Sequence, residues 1–365
     1  MKDKTPHRLK ISLLVLALAA SVTALSACGG GAATADPSGA SVQPEPGASA
    51  SASSGSSSDA PQEPAAAFRA PLTGLPIEQA ITRRPFAVMI NNLAPARPQS
   101  GLTHADQVWE VLAEGGITRL VAIFQSQPFD GAIGPIRSIR PYLIDIGEAY
   151  GGVLVHAGAS NDALALLQHS GKADLDEINN AGAYFYRDKS RKAPHNLYST
   201  LDKLYEGADK HKYDKTAEQP TFTFDEKPPV DSEPAATEVG VQFQLSSYKV
   251  SYAYDEATGL YKRSVNGEPH IDKNNGEQLT AANLVFLSAK HRVYDDYGRL
   301  EIDLYSGGDA LLIQQGHAVA CTWQRRKGDI VRLMKDGKEL PFVPGVTYYH
   351  VIPNSHPLAA QVTYQ

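Results

Sequence analysis

Cysteine is scarce in this 365-residue chain, which contains only Cys28 and Cys321. Two cysteines can supply neither a disulfide framework nor a cysteine-rich metal module. Hydrophobic residues make up 42% of the chain, which is enough for ordinary buried cores. We therefore expect a globular fold held together by packing alone.

An excess of basic residues is also lacking. The 34 Lys and Arg residues are outnumbered by 40 Asp and Glu residues, so the formal net charge is −6. Proteins that bind nucleic acid usually present a basic surface, because the phosphates supply much of the attraction. The charge balance therefore gives no reason to expect nucleic acid as a partner.

The apolar run near the N-terminus, Ile11 to about Leu25, is shorter than the roughly 20 apolar residues of a membrane-spanning helix. Four basic residues precede it, which is typical of an export signal, here residues 1–27. The run closes on Leu25-Ser26-Ala27-Cys28-Gly29, which resembles the lipobox of bacterial lipoproteins. In such proteins the signal is cut before the cysteine, and that cysteine carries lipid such as palmitate.

We therefore expect lipid on Cys28 to hold the protein at the extracytoplasmic face of the cell membrane. The alternative is an uncleaved anchor in which the cysteine is incidental. Residues 28–67 contain no aromatic side chain and one branched aliphatic side chain, Val42. Such a composition cannot bury enough apolar surface to fold, so it predicts a disordered Gly/Ala/Ser/Pro tether.

Residues 68–218 are predicted to form an α/β domain with a mixed or partly parallel sheet, because strand-like runs alternate with helical patterns. The predicted strands are Phe86–Ile90, Leu120–Phe124 and Val153–Val155. The predicted helices are Leu102–Ala113, Ile139–Tyr150 and Asn161–His169.

Residues 219–365 are predicted to form a mostly antiparallel β domain, since the helical period disappears after the prolines at 220–234. Turn-forming pairs separate short apolar runs and indicate hairpins. They occur at Asn266-Gly267, Ser306–Asp309 and Asp336-Gly337.

Several sequence strings within residues 68–218 resemble the YerB-like family of bacterial lipoproteins. They include Arg84–Asn92, Ala96–Leu102, Glu114–Arg119, Gly134–Arg140 and Ala193–Tyr198. Members are similarly built, with a lipoprotein signal followed by two consecutive domains of unknown function. The resemblance covers nearly everything after the tether and implies no established activity.

Arg137 and Arg140 are three residues apart and precede a predicted helix, with Ser138 as a candidate cap. A helix N-terminus carries partial positive charge, so two arginines there need a negative partner. An external anion bound by both side chains would supply it. An internal carboxylate would serve equally well, and Asp145, Glu110 and Glu114 are the candidates.

A histidine and an aromatic loop are further candidates for ligand binding. His156 follows a predicted strand, and ligands of open α/β sheets often lie beyond the carboxyl ends of strands, although a structural role is the simpler interpretation. Aromatic and polar side chains between residues 184 and 198 suit sugars, peptides or carboxylates. The members assigned to the site are Arg187, His195, Asn196 and Tyr198.

Asp106, Glu110 and Glu114 are spaced as an acidic row on the predicted helix Leu102–Ala113, where a solvated face is the simpler interpretation. Arg97 or Arg119 would neutralise these carboxylates, and both are assigned to the ligand site. No motif for a metal, a cofactor or a catalytic nucleophile is found, so none is predicted.

The predicted function is a lipid-anchored envelope protein that binds an anionic or glycan/peptide ligand of the cell wall. One alternative is a cell-wall hydrolase that uses Glu114 or His195 as acid or base. The other is a non-catalytic regulator that binds proteins of envelope synthesis. The sequence does not decide whether the protein is an enzyme.

Overall fold

The computed structural model of the protein describes residues 68–365. The predicted export signal, the predicted lipidation site at Cys28 and the predicted tether lie outside these residues. Within residues 68–365, no helix is long and apolar enough to cross a membrane.

The N-terminal region contains three helices and nine strands among the described residues. The helices are α1 (Pro141–Ala149), α2 (Asn161–Ser170) and α3 (Leu201–Lys210). The strands are β1 (Phe68–Arg69), β2 (Pro76–Ile77), β3 (Phe86–Asn91), β4 (Gln107–Leu112), β5 (Thr118–Phe124), β6 (Val153–His156), β7 (Asp174–Asp176), β8 (Tyr186–Arg187) and β9 (Leu197–Tyr198).

Five of these strands form a mixed sheet in the order β4-β5-β3-β6-β7. The β4–β5 and β3–β5 pairs are antiparallel, whereas the β3–β6 and β6–β7 pairs are parallel. Helix α1 packs on this sheet through Leu143, Ile144 and Ile146, which are buried. The predicted α/β class with a partly parallel sheet is confirmed.

The helix predicted over Leu102–Ala113 is wrong, because this stretch contains strand β4. Only Leu102–His104 forms a helical turn, of the 3₁₀ type. Val108, Trp109 and Leu112 are spaced as on a helix face, but β4 lies between two other strands and is buried on both faces. A strand buried on both faces has no polar alternation to distinguish it from a helix.

The C-terminal region contains thirteen strands. They are β10 (Glu238–Gln242), β11 (Lys249–Asp255), β12 (Leu260–Val265), β13 (Glu268–Pro269), β14 (Thr280–Ala281), β15 (Asn283–Val293), β16 (Leu300–Asp303), β17 (Gly308–Gln314), β18 (His317–Gln324), β19 (Arg332–Lys335), β20 (Lys338–Glu339), β21 (Thr347–Pro353) and β22 (Val362–Tyr364). Strands β10–β14 and β22 form one antiparallel sheet. The predicted mostly antiparallel C-terminal region is confirmed.

Two of the three predicted hairpin turns are present. Asn266-Gly267 joins β12 to β13, and Asp336-Gly337 joins β19 to β20. The turn at Ser306–Asp309 does not form a hairpin, because β16 and β17 do not pair with each other. Both pair with β15, at different positions along this long strand.

One sheet of twelve strands runs through both regions. Its main path is β20-β19-β18-β17-β15-β21-β4-β5-β3-β6-β7, with β16 attached to β15. Strand β21, from the C-terminal region, pairs in parallel with β4 of the N-terminal region over Thr347–Val351. The backbone hydrogen bonds of the sheet therefore cross the boundary predicted near residue 218.

Candidate anion-binding site

The segment Ile133–Arg140 crosses the carboxyl ends of the parallel strands β3 and β6. The Arg137 N–H donates to the Met89 carbonyl of β3 over 2.8 Å, and the Arg137 carbonyl accepts from Ala157, which follows β6, over 3.1 Å. Ligands of open α/β sheets commonly bind at this position. The backbone therefore places Arg137 where a binding site is expected.

Helix α1 begins directly after this segment. Its N-cap residue is Arg140, Pro141 occupies the first turn, and no side chain caps the helix. Ser138 is therefore not the cap. Proline suits this position because it has no N–H to leave unpaired. The first turn contains no acidic residue, so the positive end of the helix faces Arg140 without local compensation.

Arg119, Arg137 and Arg140 lie close together beside this helix end. The Arg119 side chain projects from β5 and is buried, and its Nη1 donates to the Ser138 carbonyl over 2.6 Å. Burial, together with the charges of Arg140 and Arg137, lowers the pKa of Arg119 to about 10. Burial and the Arg140 charge also lower the pKa of Arg137. Positive charge is therefore crowded at this site.

One carboxylate balances part of this charge. Arg140 forms an ion pair with Glu114, which lies in the loop between β4 and β5. Gly115 and Gly116 follow with φ of 69° and 74°, a left-handed conformation that glycine adopts without strain and that turns the chain sharply here. Although burial opposes ionisation, the hydrogen bond and charge from Arg140 lower the pKa of Glu114.

Asn91 and His195 extend the site at the end of β3. The Asn91 Oδ1 atom accepts from the Leu93 N–H over 3.1 Å, so its Nδ2 donates to His195 Nδ1 over 2.8 Å. This orientation leaves the proton of neutral His195 on Nε2. Burial and the charges of Arg137 and Arg191 lower the pKa of His195, which favours the neutral ring.

Arg97 lies elsewhere, beside a buried polar network. Its guanidinium stacks over the Tyr248 ring at 5.1 Å, and its Nη1 donates to the Asn92 carbonyl over 2.7 Å. Burial lowers the pKa of Arg97. This arginine, assigned to the site from the sequence, therefore contacts the C-terminal region instead of the arginine cluster.

His156 is fully buried at the end of β6. Its Nδ1 lies 3.0 Å from the Gly158 carbonyl, and its Nε2 lies 3.4 Å from Asp174 Oδ2. These contacts support the structural role that the sequence analysis gave as the simpler interpretation.

The aromatic loop is held largely by its own polar side chains. Arg187 is exposed and pairs with Glu177 at 2.9 Å. Asn196 is buried and accepts from Arg187 over 3.1 Å while donating to two loop carbonyls. Tyr198 is buried and stacks near Tyr186, with the ring centroids 6.0 Å apart. Of the four predicted loop residues, His195 is the one that approaches the arginines.

The acidic row is not a solvated helix face, since Asp106 and Glu110 are both fully buried in or beside β4. Glu110 Oε2 lies 2.8 Å from Arg263 Nη2 of the C-terminal region, and Oε1 accepts from Tyr248 and Thr118 over 2.5 and 2.7 Å. Although burial opposes it, Arg263 lowers the pKa of Glu110. Asp106 accepts from the backbone of Gln125 and Ser126.

Comparison with known proteins supports the resemblance drawn from the sequence. Residues 72–214 match the family described as "Protein of unknown function (DUF3048) N-terminal domain". Residues 239–349 match the corresponding C-terminal domain, so the two matches cover more than half of the chain. The chain belongs to the DUF3048 family.

The DUF3048 relatives include "Putative lipoprotein YerB" of Bacillus subtilis (strain 168), which is 39% identical over 302 residues. That alignment covers 81% of this chain and 89% of the relative. The crystal structure of YerB protein from Bacillus subtilis matches with a TM-score of 0.74 and 36% identity, and it covers 81% of this chain and 99% of the other. The predicted YerB-like family is therefore confirmed.

Sequence reasoning missed one member of the site in this DUF3048 protein. Asn91 was noticed only as part of a family string, yet it fixes the His195 ring. Its place at the carboxyl end of a buried strand was the signal available. Among residues 68–365, no group of three or more His, Cys, Asp or Glu side chains is arranged to hold a metal ion.

Proposed function

We propose that this protein is a lipid-anchored protein of the bacterial envelope that binds an anionic cell-wall ligand at Arg119, Arg137, Arg140 and His195. The lipoprotein name of its relative and the N-terminal sequence around Cys28 support the anchoring. The arginine cluster supports the choice of an anion.

The observation that carries the proposal is the charge balance around Arg137. Three guanidinium groups share one carboxylate, Glu114, which is committed to Arg140. Within residues 68–365, the half-buried Arg137 side chain has no hydrogen bond, and Glu114 is the one carboxylate that acts on its charge. A partly desolvated charge without a partner is costly unless a ligand compensates for it.

A carboxylate or phosphate of the ligand would satisfy this arrangement. Arg137 would donate through its planar guanidinium, which suits bidentate hydrogen bonding to either a carboxylate or a phosphate. The His195 Nε2–H would add a neutral donor, because Asn91 holds the opposite nitrogen. Each charge-assisted hydrogen bond contributes roughly 1.5–3 kcal/mol.

The test compares Arg137→Gln with Arg187→Gln in the full mature chain. Purified peptidoglycan fragments and inorganic phosphate are titrated calorimetrically against each variant. We expect Arg137→Gln to weaken binding by roughly tenfold or more and Arg187→Gln to leave it unchanged. Equal binding by both variants, or no binding by the wild type, would contradict the proposal.

The hydrolase alternative receives less support from the site. A general acid needs a raised pKa, whereas the pKa of Glu114 is lowered by Arg140. In neutral His195 the Nδ1 atom accepts from Asn91, so Nε2 carries the proton. The Nε2 atom that faces a ligand is therefore a donor and not a base. No specific contact favours the protein-binding regulator over the ligand-binding protein.

The lipid anchor has its own test. Cys28→Ala should abolish incorporation of labelled fatty acid, because the cysteine thiol is the predicted attachment point. Cys321→Ala is the matched control and should label normally. Normal labelling of the Cys28 variant would contradict the anchor.

A further inference from the structure

A cavity lies between helix α1 and the ribbon formed by β15 and β16. Its volume is about 740 Å³, which is within the range of small-molecule sites. Side chains of the first turns of α1, of α2 and of the ribbon line it. They include Tyr142, Asp145, Asp162, Tyr294, Asp303 and Tyr305.

Two tyrosines of the cavity wall are held in place although they are exposed. Tyr294 is 37% exposed, and its hydroxyl donates to Asp162 Oδ2 over 2.8 Å. Tyr305 is 40% exposed, and the Arg325 guanidinium, which is not part of the lining, stacks over its ring at 4.9 Å. Immobilised aromatic rings in a cleft provide flat apolar faces for a ligand at little cost in side-chain entropy.

The charges of the cavity exclude an anionic ligand. Carboxylates outnumber cations in the lining. Of the two cations, Arg292 is already paired with Glu301, and its Nε lies 2.8 Å from Glu301 Oε2. Asp303 accepts from the Tyr305 and Ser306 N–H groups and so supports the turn that carries Tyr305. Asp145 has no ion-pair partner within residues 68–365, and burial raises its pKa although the charge of Arg325 and a hydrogen bond with Tyr305 act in the opposite direction. A carboxylate can accept about four hydrogen bonds, so Asp145 can accept from a ligand as well as from Tyr305.

We infer that this cavity binds an uncharged stretch of glycan, with sugar rings against Tyr294 and Tyr305 and hydroxyl groups donating to Asp145. A sugar presents an apolar C–H face and several hydroxyl donors, which match stacked rings beside carboxylates. The cavity lining contains none of the residues of the proposed anion-binding site, so glycan binding here does not depend on that site. Tyr142 lies between the two sites, since it lines the cavity and both Arg119 and Arg140 influence the pKa of its hydroxyl.

The experiment titrates the full mature chain with N-acetylglucosamine tetrasaccharide, a neutral glycan. Tyr305→Ala and Asp145→Asn should each weaken binding, by roughly tenfold for the tyrosine, because a stacking face is lost. Tyr364→Ala is the matched control, since Tyr364 is also 40% exposed but lies on β22. It should bind as the wild type does.

Salt dependence separates a neutral glycan from a charged ligand. Binding should change little between 0.05 and about 0.5 M NaCl, because screening acts on charge pairs. Melting curves of the variants establish that each is folded, and Asp145→Asn keeps the test decisive should Tyr305→Ala unfold. Absence of wild-type binding, undiminished binding by both cleft variants, or binding only of the deacetylated cationic oligosaccharide would overturn the inference.

Discussion

Buried charges in this protein are compensated in two different ways. Glu110 and Arg263 are almost completely buried and satisfy each other, with tyrosine and threonine hydroxyls completing the network. Arg137 is half-buried and has no such partner within residues 68–365. The first arrangement is typical of a structural ion pair, and the second is typical of a site that awaits a ligand.

Removing the Glu110 charge should destabilise the protein strongly. Glu110→Gln leaves Arg263 buried without a counter-charge, so we expect a loss of about 3–5 kcal/mol in the free energy of unfolding. Urea unfolding of the variant and the wild type measures this loss in the free energy of unfolding. Glu301→Gln, which breaks the exposed pair with Arg292, is the control and should cost at most about 1 kcal/mol. A similar small loss for both variants would show that the buried pair is not structural.

The sequence predicted the arginine cluster but not the buried pair, for a physical reason. Arg137 and Arg140 are near neighbours whose conflict with a helix N-terminus is visible in the sequence. Glu110 and Arg263 are separated by 153 positions and meet only because two strands from different regions pack together. Local spacing contains no information on such a contact.

At the level of elements, continuous apolar runs were predictable as strands, since Phe86–Ile90, Leu120–Phe124 and Val153–Val155 lie within β3, β5 and β6. Helix α2 has one face toward solvent, and its predicted span, Asn161–His169, ends one residue before the observed end. Strand β4 was mistaken for a helix because the polar residues Gln107 and Glu110 interrupt its apolar run and leave a helix-like spacing. Both are buried, and they form internal hydrogen bonds instead of marking an exposed face.

Helix α1 depends on a glycine for its close approach to the sheet. A Cβ atom at Gly147 would lie 2.9 Å from Ala87 Cβ and would also collide with Leu154. Although alanine favours a helix by about 1 kcal/mol over glycine, we expect Gly147→Ala to lower the free energy of unfolding by about 1–3 kcal/mol.

Thermal or urea unfolding measures the effect of Gly147→Ala. Gln168→Ala, at an exposed position of α2, is the control and should change stability by less than about 0.5 kcal/mol. A Gly147→Ala variant as stable as the wild type would show that α1 can move outward without loss of packing.

For the whole molecule, the twelve-stranded sheet is the feature that sequence patterns could not reveal. The change from α/β to hairpin pattern near residue 218 predicts a domain boundary, and the separate family matches follow the same division. The pairing of β21 with β4 nevertheless joins the two regions through backbone hydrogen bonds. Strand order depends on contacts between distant residues, which a single sequence does not show.

We therefore expect residues 68–218 alone to lack a cooperative melting transition. Without β21, the buried strand β4 becomes an exposed edge, and Glu110 loses Arg263. Calorimetry of residues 68–218, 219–365 and 68–365 measures this. The longest chain should melt in one transition. Cooperative melting of both shorter chains would establish two independent domains.

The central claim, that Arg137 awaits an external anion, is tested most directly by the melting temperature of Arg137→Gln without ligand. Removing one of three crowded arginines relieves repulsion, so the variant should melt within about 2 °C of the wild type or higher. Arg140→Gln leaves Glu114 without its ion-pair partner, so this variant should have a lower melting temperature than the wild type. A fall of more than about 5 °C for Arg137→Gln would show that an internal partner already satisfies this arginine and would contradict the account.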